Sequence, residues 1–194
     1  TRPIRSGSST VTTQILATYP AYTAIRSFNP EYGRFINDTD LMDMERVVVL
    51  GSKIAERLFG RAEAALGREV FIFRARFTVV GVMEAKGRDL TGADQDEQTF
   101  MPLSTYMRRA ANQTWISGVY LHLDERADLD QVRQATADIL RARHHLEGKK
   151  DDFSMLTPAD SMQLRKEALD LVQTLGAITS TISFAVGGMG ILSI

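Results

Sequence analysis

The 194-residue chain contains no cysteine. This absence excludes a disulfide scaffold, a thiol nucleophile, an iron–sulfur cluster and a cysteine-based zinc site. An excess of charge is also missing, because 23 Lys and Arg residues stand against 24 Asp and Glu residues. A near-neutral chain lacks the basic stripe that nucleic acid usually requires, so we expect no nucleic-acid partner.

The sequence also lacks a catalytic constellation. Its histidines are too few and too weakly spaced to supply the three protein ligands of a catalytic metal; they are His122, His144 and His145. The acidic stretch 94–97 lacks the spacing of a calcium loop, and the glycines of 187–190 lack the Lys-Ser or Lys-Thr pair of a phosphate-binding loop. We therefore predict no catalytic residue, no cofactor and no metal ion, and we do not expect an enzyme.

A long apolar run does occur, at the C-terminus. The stretch from Leu171 to Ile194 has no charged residue and is about as long as a helix that crosses the ~30 Å core of a bilayer. Small residues recur in it at helical spacing, as they do where membrane helices approach one another; these are Thr179, Ser183 and Gly187. We predict a membrane span here, and the alternative is a buried helix of a large soluble core. The polar stretch Thr1 to Thr10 predicts no signal peptide, and a first residue other than Met indicates an excised fragment.

A strong helix start precedes the apolar run. Thr157 can cap a helix whose first residue is Pro158, with Asp160 at the capping-box position. No Pro or Gly follows before Gly176, so we expect one helix from Pro158 to the end of the sequence. We interpret its polar first half as a stalk that enters the membrane. Ala168 lies within the rigid part, and Gly176 is the one plausible flexible point.

The rest of the chain alternates between strand and helix patterns. Apolar runs and alternation predict strands near residues 11–17, 47–50, 69–73, 77–83, 99–103, 119–123 and 153–156. Ser52 and Asp128 are predicted to cap helices, and Phe153 is predicted to be buried. This order predicts an α+β fold: a split βαβ sheet with an inserted strand-rich lobe, followed by the long C-terminal helix.

Five blocks of sequence carry a resemblance. They are Thr18–Tyr22 with Tyr32–Ile36; Val47–Ser52 with Leu58–Gly60 and Leu66–Gly67; Phe77–Val82 with Pro102–Thr105; Leu140–His144 with Asp152–Ser154; and Leu175–Ile178 with Val186–Ile191. In this order they resemble the periplasmic core domain of MacB-type, FtsX-like ABC transporter permeases. The last block is similar to the family's second membrane helix. One departure is the absence of a glycine at 74–76.

The resemblance implies an architecture and a location. It implies a porter-like subdomain made of residues 1–45 and 111–157, an inserted strand-rich lobe at 46–110, and a stalk with the start of a transmembrane helix at 158–194. The domain would lie in the periplasm, between the first two membrane helices of an inner-membrane protein.

The resemblance also implies a role and partners. Two permease chains would pair, and a cytoplasmic ABC ATPase would drive their motion. The stalk would carry that motion to the periplasmic domains, which export substrate, with Thr157, Pro158, Ala168 and Gly176 as coupling residues. MacB-type members work with a periplasmic adaptor and an outer-membrane channel.

A polar stretch from Lys86 to Gln98 is the predicted partner surface, because binding residues often lie on loops that a scaffold positions. Its candidate contacts are Lys86, Arg88, Asp89, Asp94 and Asp96. A solvated loop without a partner is the alternative. The main competing function is a ligand-sensing extracytoplasmic domain of a membrane receptor or sensor kinase, and an extracytoplasmic enzyme is a more distant third.

Overall fold

A computed structural model describes the backbone of residues 1–89, 92–124 and 126–192, and their side chains except at 158, 161, 182 and 184–192. The chain divides into two compact units, Thr1–Asp124 and Glu125–Ile194. The mixed α+β class predicted from the order of elements is confirmed.

Seven strands and four short helices lie in the described part of the first unit. The strands are β1 (Arg2–Ser6), β2 (Ser9–Thr18), β3 (Pro30–Gly33), β4 (Val47–Leu50), β5 (Glu69–Ile72), β6 (Ala75–Met83) and β7 (Gln98–Pro102). The helices are α1 (Tyr22–Arg26), α2 (Asp38–Met42), α3 (Ser52–Phe59) and α4 (Leu103–Thr105). Two 3₁₀ turns, at Glu63–Ala65 and Gln95–Glu97, and a π-helical turn at Tyr106–Ala110 complete it.

Six of the strands close into a barrel. They hydrogen-bond in the order β1, β2, β7, β4, β6 and β5, and β5 pairs in turn with β1, while β3 adds to β6. The closure is uneven, because β5 pairs with β6 through four residue pairs but with β1 through the pair Arg5–Phe71. The β1–β5 junction is therefore the weakest seam in the described ladder.

Two clusters of buried side chains hold this unit together. One packs Ile54, Ala55 and Leu58 of α3 against apolar residues of the barrel strands, including Leu50. The other is rich in aromatic rings, with centroids 5.3–6.3 Å apart; its rings are Tyr22, Phe28, Phe35 and Phe100. Tyr22 and Phe35 are stacked and the other pairs are tilted, and ring pairs of both kinds contribute beyond the area that they bury.

Strand β4 and helix α3 confirm the sequence pattern. All four β4 side chains are buried, and α3 ends at Gly60 in the left-handed conformation.

The predicted cap at Ser52 is wrong. Gly51 is the N-cap, and Ser52 lies inside the first turn with its hydroxyl buried and unpaired among the described atoms. Gly51 is required there, because a Cβ on it would lie 2.3 Å from the carbonyl oxygen of Asp96.

The strand predicted near residues 119–123 is also wrong. The described residues of 111–124 form no strand, and Val119, Tyr120 and Leu121 are exposed. The alternation is present, but none of the described strands pairs with this segment, and a strand exists only with its hydrogen-bonded neighbour. Conversely, β1 was not predicted, because Ile4 is the one buried apolar residue in an otherwise polar stretch.

The second unit contains two described helices, α5 (Leu129–His144) and α6 (Pro158–Leu192). Asp128 caps α5 as predicted, since its carboxylate accepts from Asp130 N at 2.9 Å. Helix α6 has 35 residues and is therefore about 52 Å long at 1.5 Å per residue. The strand predicted near 153–156 is absent here too, and Phe153 is half-buried rather than buried.

In the part of the chain that the structure describes, no helix is both long and apolar enough to cross a membrane. The predicted span at 171–194 is helical as far as residue 192, but the side chains at 182 and 184–192 and the whole of residues 193–194 lie outside the described part.

Strands from the segments 1–45 and 46–110 share the one barrel. The division into a porter-like subdomain and an inserted lobe stays a prediction.

Candidate functional site

The predicted partner loop lies between β6 and β7, and the structure holds it by internal contacts instead of leaving it open. Lys86 and Arg88 are exposed, Asp89 and Asp94 are half-buried, and Asp96 is only 4% exposed. The prediction of an exposed loop is therefore wrong for its second half. Leu90 and Thr91 lie outside the described residues.

Asp96 closes the loop. Its Oδ1 accepts hydrogen bonds from the backbone nitrogens of Lys86 at 2.8 Å and Gly87 at 3.0 Å. Its Oδ2 lies 3.4 Å from Lys53 Nζ at the start of α3. A buried carboxylate is tolerated only with such partners, because an unpaired buried charge is very costly. Asp96 thus joins the two ends of the loop to the barrel's helix.

Lys53 and Asp94 form the closest ion pair of this cluster, with Lys53 Nζ 2.6 Å from Asp94 Oδ2. The hydrogen bond from Lys53 lowers the pKa of Asp94, and the bond to Asp94 raises the pKa of Lys53. The other oxygen of Asp94 accepts from Asp96 N at 3.0 Å and so caps the 3₁₀ turn. Both groups are charged at neutral pH, and each one stabilises the other.

The Lys86 ammonium is directed back to the protein. It donates to the carbonyl oxygens of Arg26 and Ser27, each at 2.7 Å, and lies 5.1 Å from the centroid of the Phe28 ring. These contacts satisfy the carbonyls at the end of α1, as a cation at a helix C-terminus does. The Lys86 ammonium is therefore engaged within the domain and is a poor candidate for contact with a partner.

Arg88 is exposed, and its charge makes no ion pair among the described residues. Its guanidinium donates to Gly92 O at 3.1 Å, which is a contact within the loop and does not neutralise its charge. Asp89 is fixed more tightly, since its carboxylate accepts from Ala93 N at 3.1 Å and lies 3.8 Å from Arg26. Lys53 and Arg26 cannot be predicted as partners from a local pattern, because they lie more than 40 positions before their contacts in the loop.

The predicted coupling residues lie at the start and along the first half of α6. Thr157 and Asp160 form a complete capping box: Asp160 N donates to Thr157 Oγ1 at 3.1 Å, and Thr157 N donates to Asp160 Oδ2 at 2.9 Å. The backbone hydrogen bond from Thr157 lowers the pKa of Asp160. Ala168 and Gly176 are helical and exposed, and a Cβ on Gly176 would meet no atom within 4 Å.

Titratable side chains outside the loop make structural pairs. His144 Nδ1 lies 2.9 Å from Asp152, and its ring meets Phe153 edge to face. Arg141 donates two hydrogen bonds of 2.8 Å to Asp151, and these bonds lower the pKa of the Asp151 carboxyl. Among the described residues no three His, Asp or Glu side chains converge as metal ligands would.

The fold is that of bacterial transporter domains outside the cytoplasm. The chain superposes on the crystal structure of the periplasmic region of MacB from Actinobacillus actinomycetemcomitans with a TM-score of 0.62 and 20% identity, over 86% of this chain and 71% of that one. It superposes on the extracellular domain of the noncanonic ABC-type transporter YknZ from Gram-positive bacteria with a TM-score of 0.59 and 18% identity, over 80% and 76% of the two chains.

Similarity in sequence identifies the family to which the chain belongs. Residues 1–139 match the family model described as MacB-like periplasmic core domain, so the chain belongs to that family and is a periplasmic domain. It is 33% identical to the macrolide export ATP-binding/permease protein MacB of Rhodospirillum rubrum over 182 residues, 94% of this chain and 27% of that protein. It is 29% identical to the protein of the same name from Bdellovibrio bacteriovorus, over 94% of this chain and 28% of that protein. The chain thus spans about a quarter of the length of these relatives.

Proposed function

We propose that this domain is the moved part of an ABC transporter permease. An ATPase on the cytoplasmic side, fused or separate, drives the motion, and α6 carries it to the periplasmic domain, which pushes substrate outward. The family membership and the names of the relatives support the transporter setting. The observation that carries the mechanism is the single helix from Pro158 to Leu192, which starts in a complete capping box. The division into porter-like parts (1–45 and 111–157) and a lobe (46–110) belongs to this proposal.

A transmitting element must be stiff, and the sequence of α6 is suited to stiffness. Pro158 is the last of the five prolines in the chain, and it occupies the first helical position, where its missing N–H costs nothing. The capping box satisfies backbone groups that otherwise fray at a helix start. Helical backbone continues through Gly176, so the one weak position of the first half does not interrupt the helix.

The test is a helix break in the full-length transporter that contains this domain. Ala168→Pro removes a backbone hydrogen bond and costs about 3 kcal/mol within the helix. We expect normal ATP hydrolysis with transport reduced to a small fraction, while Ala168→Ser, which preserves the helix, transports like the parent. Transport at the parental rate by Ala168→Pro would show that α6 does not transmit the motion.

A second permease chain is the proposed partner of α6. Leu164, Ala168, Leu171, Leu175 and Ile178 follow one another at intervals of four and three residues, and all five are exposed. This is the spacing of a coiled-coil seam, in which two helices cover each other's apolar stripe. The stripe therefore supports a pair of chains that meet along their stalks.

The lack of cysteine makes this pairing directly testable. In full-length protein whose remaining cysteines, if any, are replaced, Leu171→Cys lies on the stripe and should form a cross-linked dimer under mild oxidation. Lys166→Cys lies on the opposite side of the helix and is the matched control. Equal cross-linking of the two variants would contradict a dimer along this stripe.

A periplasmic adaptor, working with an outer-membrane channel, is the partner that we propose for the loop from Lys86 to Gln98. Lys86 and Arg88 are its exposed charges, but the contacts of Lys86, Asp89, Asp94 and Asp96 fix the loop's shape, so Arg88 is the charge that we propose meets the partner. Arg88→Glu should therefore reduce transport by the intact pump. Arg46→Glu, an equal change of charge at another exposed arginine, is the control, and parental transport by Arg88→Glu would remove the loop from the proposal.

A further inference from the structure

A second surface lies at the seam of the barrel, where β1 and β5 meet through one residue pair. Beside that pair a cleft of about 380 Å³ opens between the strands and the turn that follows β5. Its lining residues are Arg2, Pro3, Arg5, Thr10, Phe71, Phe73 and Arg74. None of these seven carries a negative charge.

The three arginines of this cleft are not neutralised. In the part of the chain that the structure describes, no carboxylate lies within 4.0 Å of Arg2, Arg5 or Arg74, although eleven ion pairs occur elsewhere. All three side chains are exposed. Each guanidinium presents a planar set of donors that matches a carboxylate with two parallel hydrogen bonds.

Aromatic rings form the other part of the cleft. Register places Thr10 opposite Arg5, Arg5 opposite Phe71, and Phe71 opposite Arg76, so these four residues make one row across four strands. Val70 and Ile72 are buried in the core, so Phe71 between them lies on the outer face of the barrel. The Phe73 ring packs edge to face on Tyr106 and lies 5.5 Å from the Arg2 guanidinium carbon.

The turn that carries two of the lining residues is strained. Phe73 and Arg74 have φ values of 51° and 65°, and both lie in the left-handed region that favours glycine. A two-residue hairpin with positive φ at both positions normally uses Asn-Gly. Here Phe73 and Arg74 occupy these two positions in spite of the strain, and they place a ring and a guanidinium at the cleft. Such an outlier motivates a functional hypothesis.

We propose that this cleft binds an extended acidic segment of a partner protein, one in which carboxylates and apolar side chains alternate along the face that meets the cleft. The arginines would pair with the carboxylates, and the rings of Phe71 and Phe73 would cover the apolar side chains. Successive side chains of an extended peptide point to opposite sides, so the face that meets the row consists of every second residue of the segment. The proposal does not depend on the direction or coupling of transport.

The shape of the surface favours a peptide over a membrane. An anionic bilayer attracts basic side chains that project from a convex or flat surface, whereas these arginines line a concavity between strands. The volume suits a few side chains, and the fixed rings offer apolar contact inside the cleft. A bilayer is therefore the alternative that the experiment must separate.

Isothermal titration calorimetry of the whole chain in neutral dodecyl maltoside tests the proposal. The probe is a ten-residue peptide that alternates pairs of aspartates with pairs of leucine or phenylalanine, so that both kinds of side chain lie on each face, and its control replaces every aspartate with lysine. We expect binding of the acidic peptide only, with an affinity that falls as salt is raised. Arg5→Gln/Arg74→Gln should weaken binding at least about tenfold, since both contacts are charge-assisted.

Matched variants separate this site from a general effect of charge. Arg46→Gln/Arg61→Gln removes the same charge from two other exposed arginines and should change the affinity less than about twofold. Far-UV circular dichroism and the urea midpoint show that each variant is folded. Equal weakening by both double variants, or no binding of the acidic peptide, would overturn the proposal. Sedimentation with phosphatidylglycerol vesicles that depends on Arg5 and Arg74, without peptide binding, would assign the cleft to a membrane and overturn it too.

Discussion

Asp96 Oδ1 lies 2.8 Å from the backbone nitrogen of Lys86, ten positions earlier in the chain, and this hydrogen bond closes the loop between β6 and β7. The same oxygen accepts from Gly87 N at 3.0 Å. A loop whose ends are joined in this way keeps its shape. The exposed Arg88 thus has a fixed position from which to contact a partner.

Removal of this closure should destabilise the domain. Asp96→Ala leaves two backbone N–H groups without their acceptor and removes one of the two carboxylates beside Lys53. We expect the free energy of unfolding, measured in urea, to fall by about 2 kcal/mol or more, since each unsatisfied buried group costs roughly 1–3 kcal/mol. Asp96→Asn retains an oxygen acceptor and should cost less. A loss for Asp96→Asn as large as for Asp96→Ala would mean that the charge, and not the backbone bonds, is what matters.

Asp40 predicts a dependence of stability on pH. Burial raises the pKa of this carboxyl, but the hydrogen bonds from Arg34 and the backbone of Asn37 outweigh burial and lower it below its ordinary value of 3.8. A carboxyl whose pKa is lower in the folded state stabilises the fold above its ordinary pKa, and this contribution is lost as pH falls through the folded value. The parent should therefore exceed Asp40→Asn in stability at pH 7, and the gap should narrow below pH 3.8.

Urea titrations of the two proteins across this range check the sign. Asp38→Asn is the control, because Asp38 is an exposed carboxylate in the same short helix, α2. A gap between the parent and Asp40→Asn that stays constant from neutral to acid pH would show that the loss comes from packing and not from the charge.

The cap of α6 makes a local prediction. Thr157→Ala removes the acceptor of Asp160 N, and replacement of such a cap typically costs about 1 kcal/mol. Hydrogen exchange of the amides at Ala159 and Asp160 should speed up, and the unfolding free energy should fall by that amount. Thr157→Ser keeps the hydroxyl and should behave like the parent. Unchanged exchange in Thr157→Ala would be evidence that the first turn is held by something other than this cap.

Local contacts could be predicted from the sequence, and distant ones could not. Thr157 and Asp160 are three positions apart, so their hydrogen bonds follow from helix geometry. Lys53 and Asp94 are joined only by the path of the barrel strands, and no local pattern indicates which lysine meets which carboxylate. The candidate loop was therefore placed correctly between two strands, but the inward direction of Asp96 was missed.

Strand prediction failed for a related reason. Alternation shows that a segment could lie in a sheet, but a sheet also needs a partner at the right register. The segment 119–123 alternates and has no described partner, whereas β1 barely alternates and pairs along its whole length with β2. Pairing between segments, and not the local pattern, decided both cases.

The strained turn at the barrel seam gives the last prediction. Arg74 has φ of 65°, and the left-handed conformation costs a residue with a Cβ roughly 1–2 kcal/mol. Glycine adopts this φ freely but loses about 0.5–1 kcal/mol more backbone entropy on folding. The strain is the larger of the two effects, so Arg74→Gly should raise the free energy of unfolding by roughly 0.5–1 kcal/mol. Arg76→Gly, two positions later within β6 and without positive φ, should instead lower it, because glycine weakens a strand interior.

The same Arg74→Gly variant removes one guanidinium from the cleft, so it should bind the acidic peptide more weakly while it resists urea better. A variant that gains stability and keeps full affinity would show that the turn holds its strain for a reason unrelated to the cleft, and one that loses stability would show that the Arg74 side chain contributes more to the fold than its φ costs.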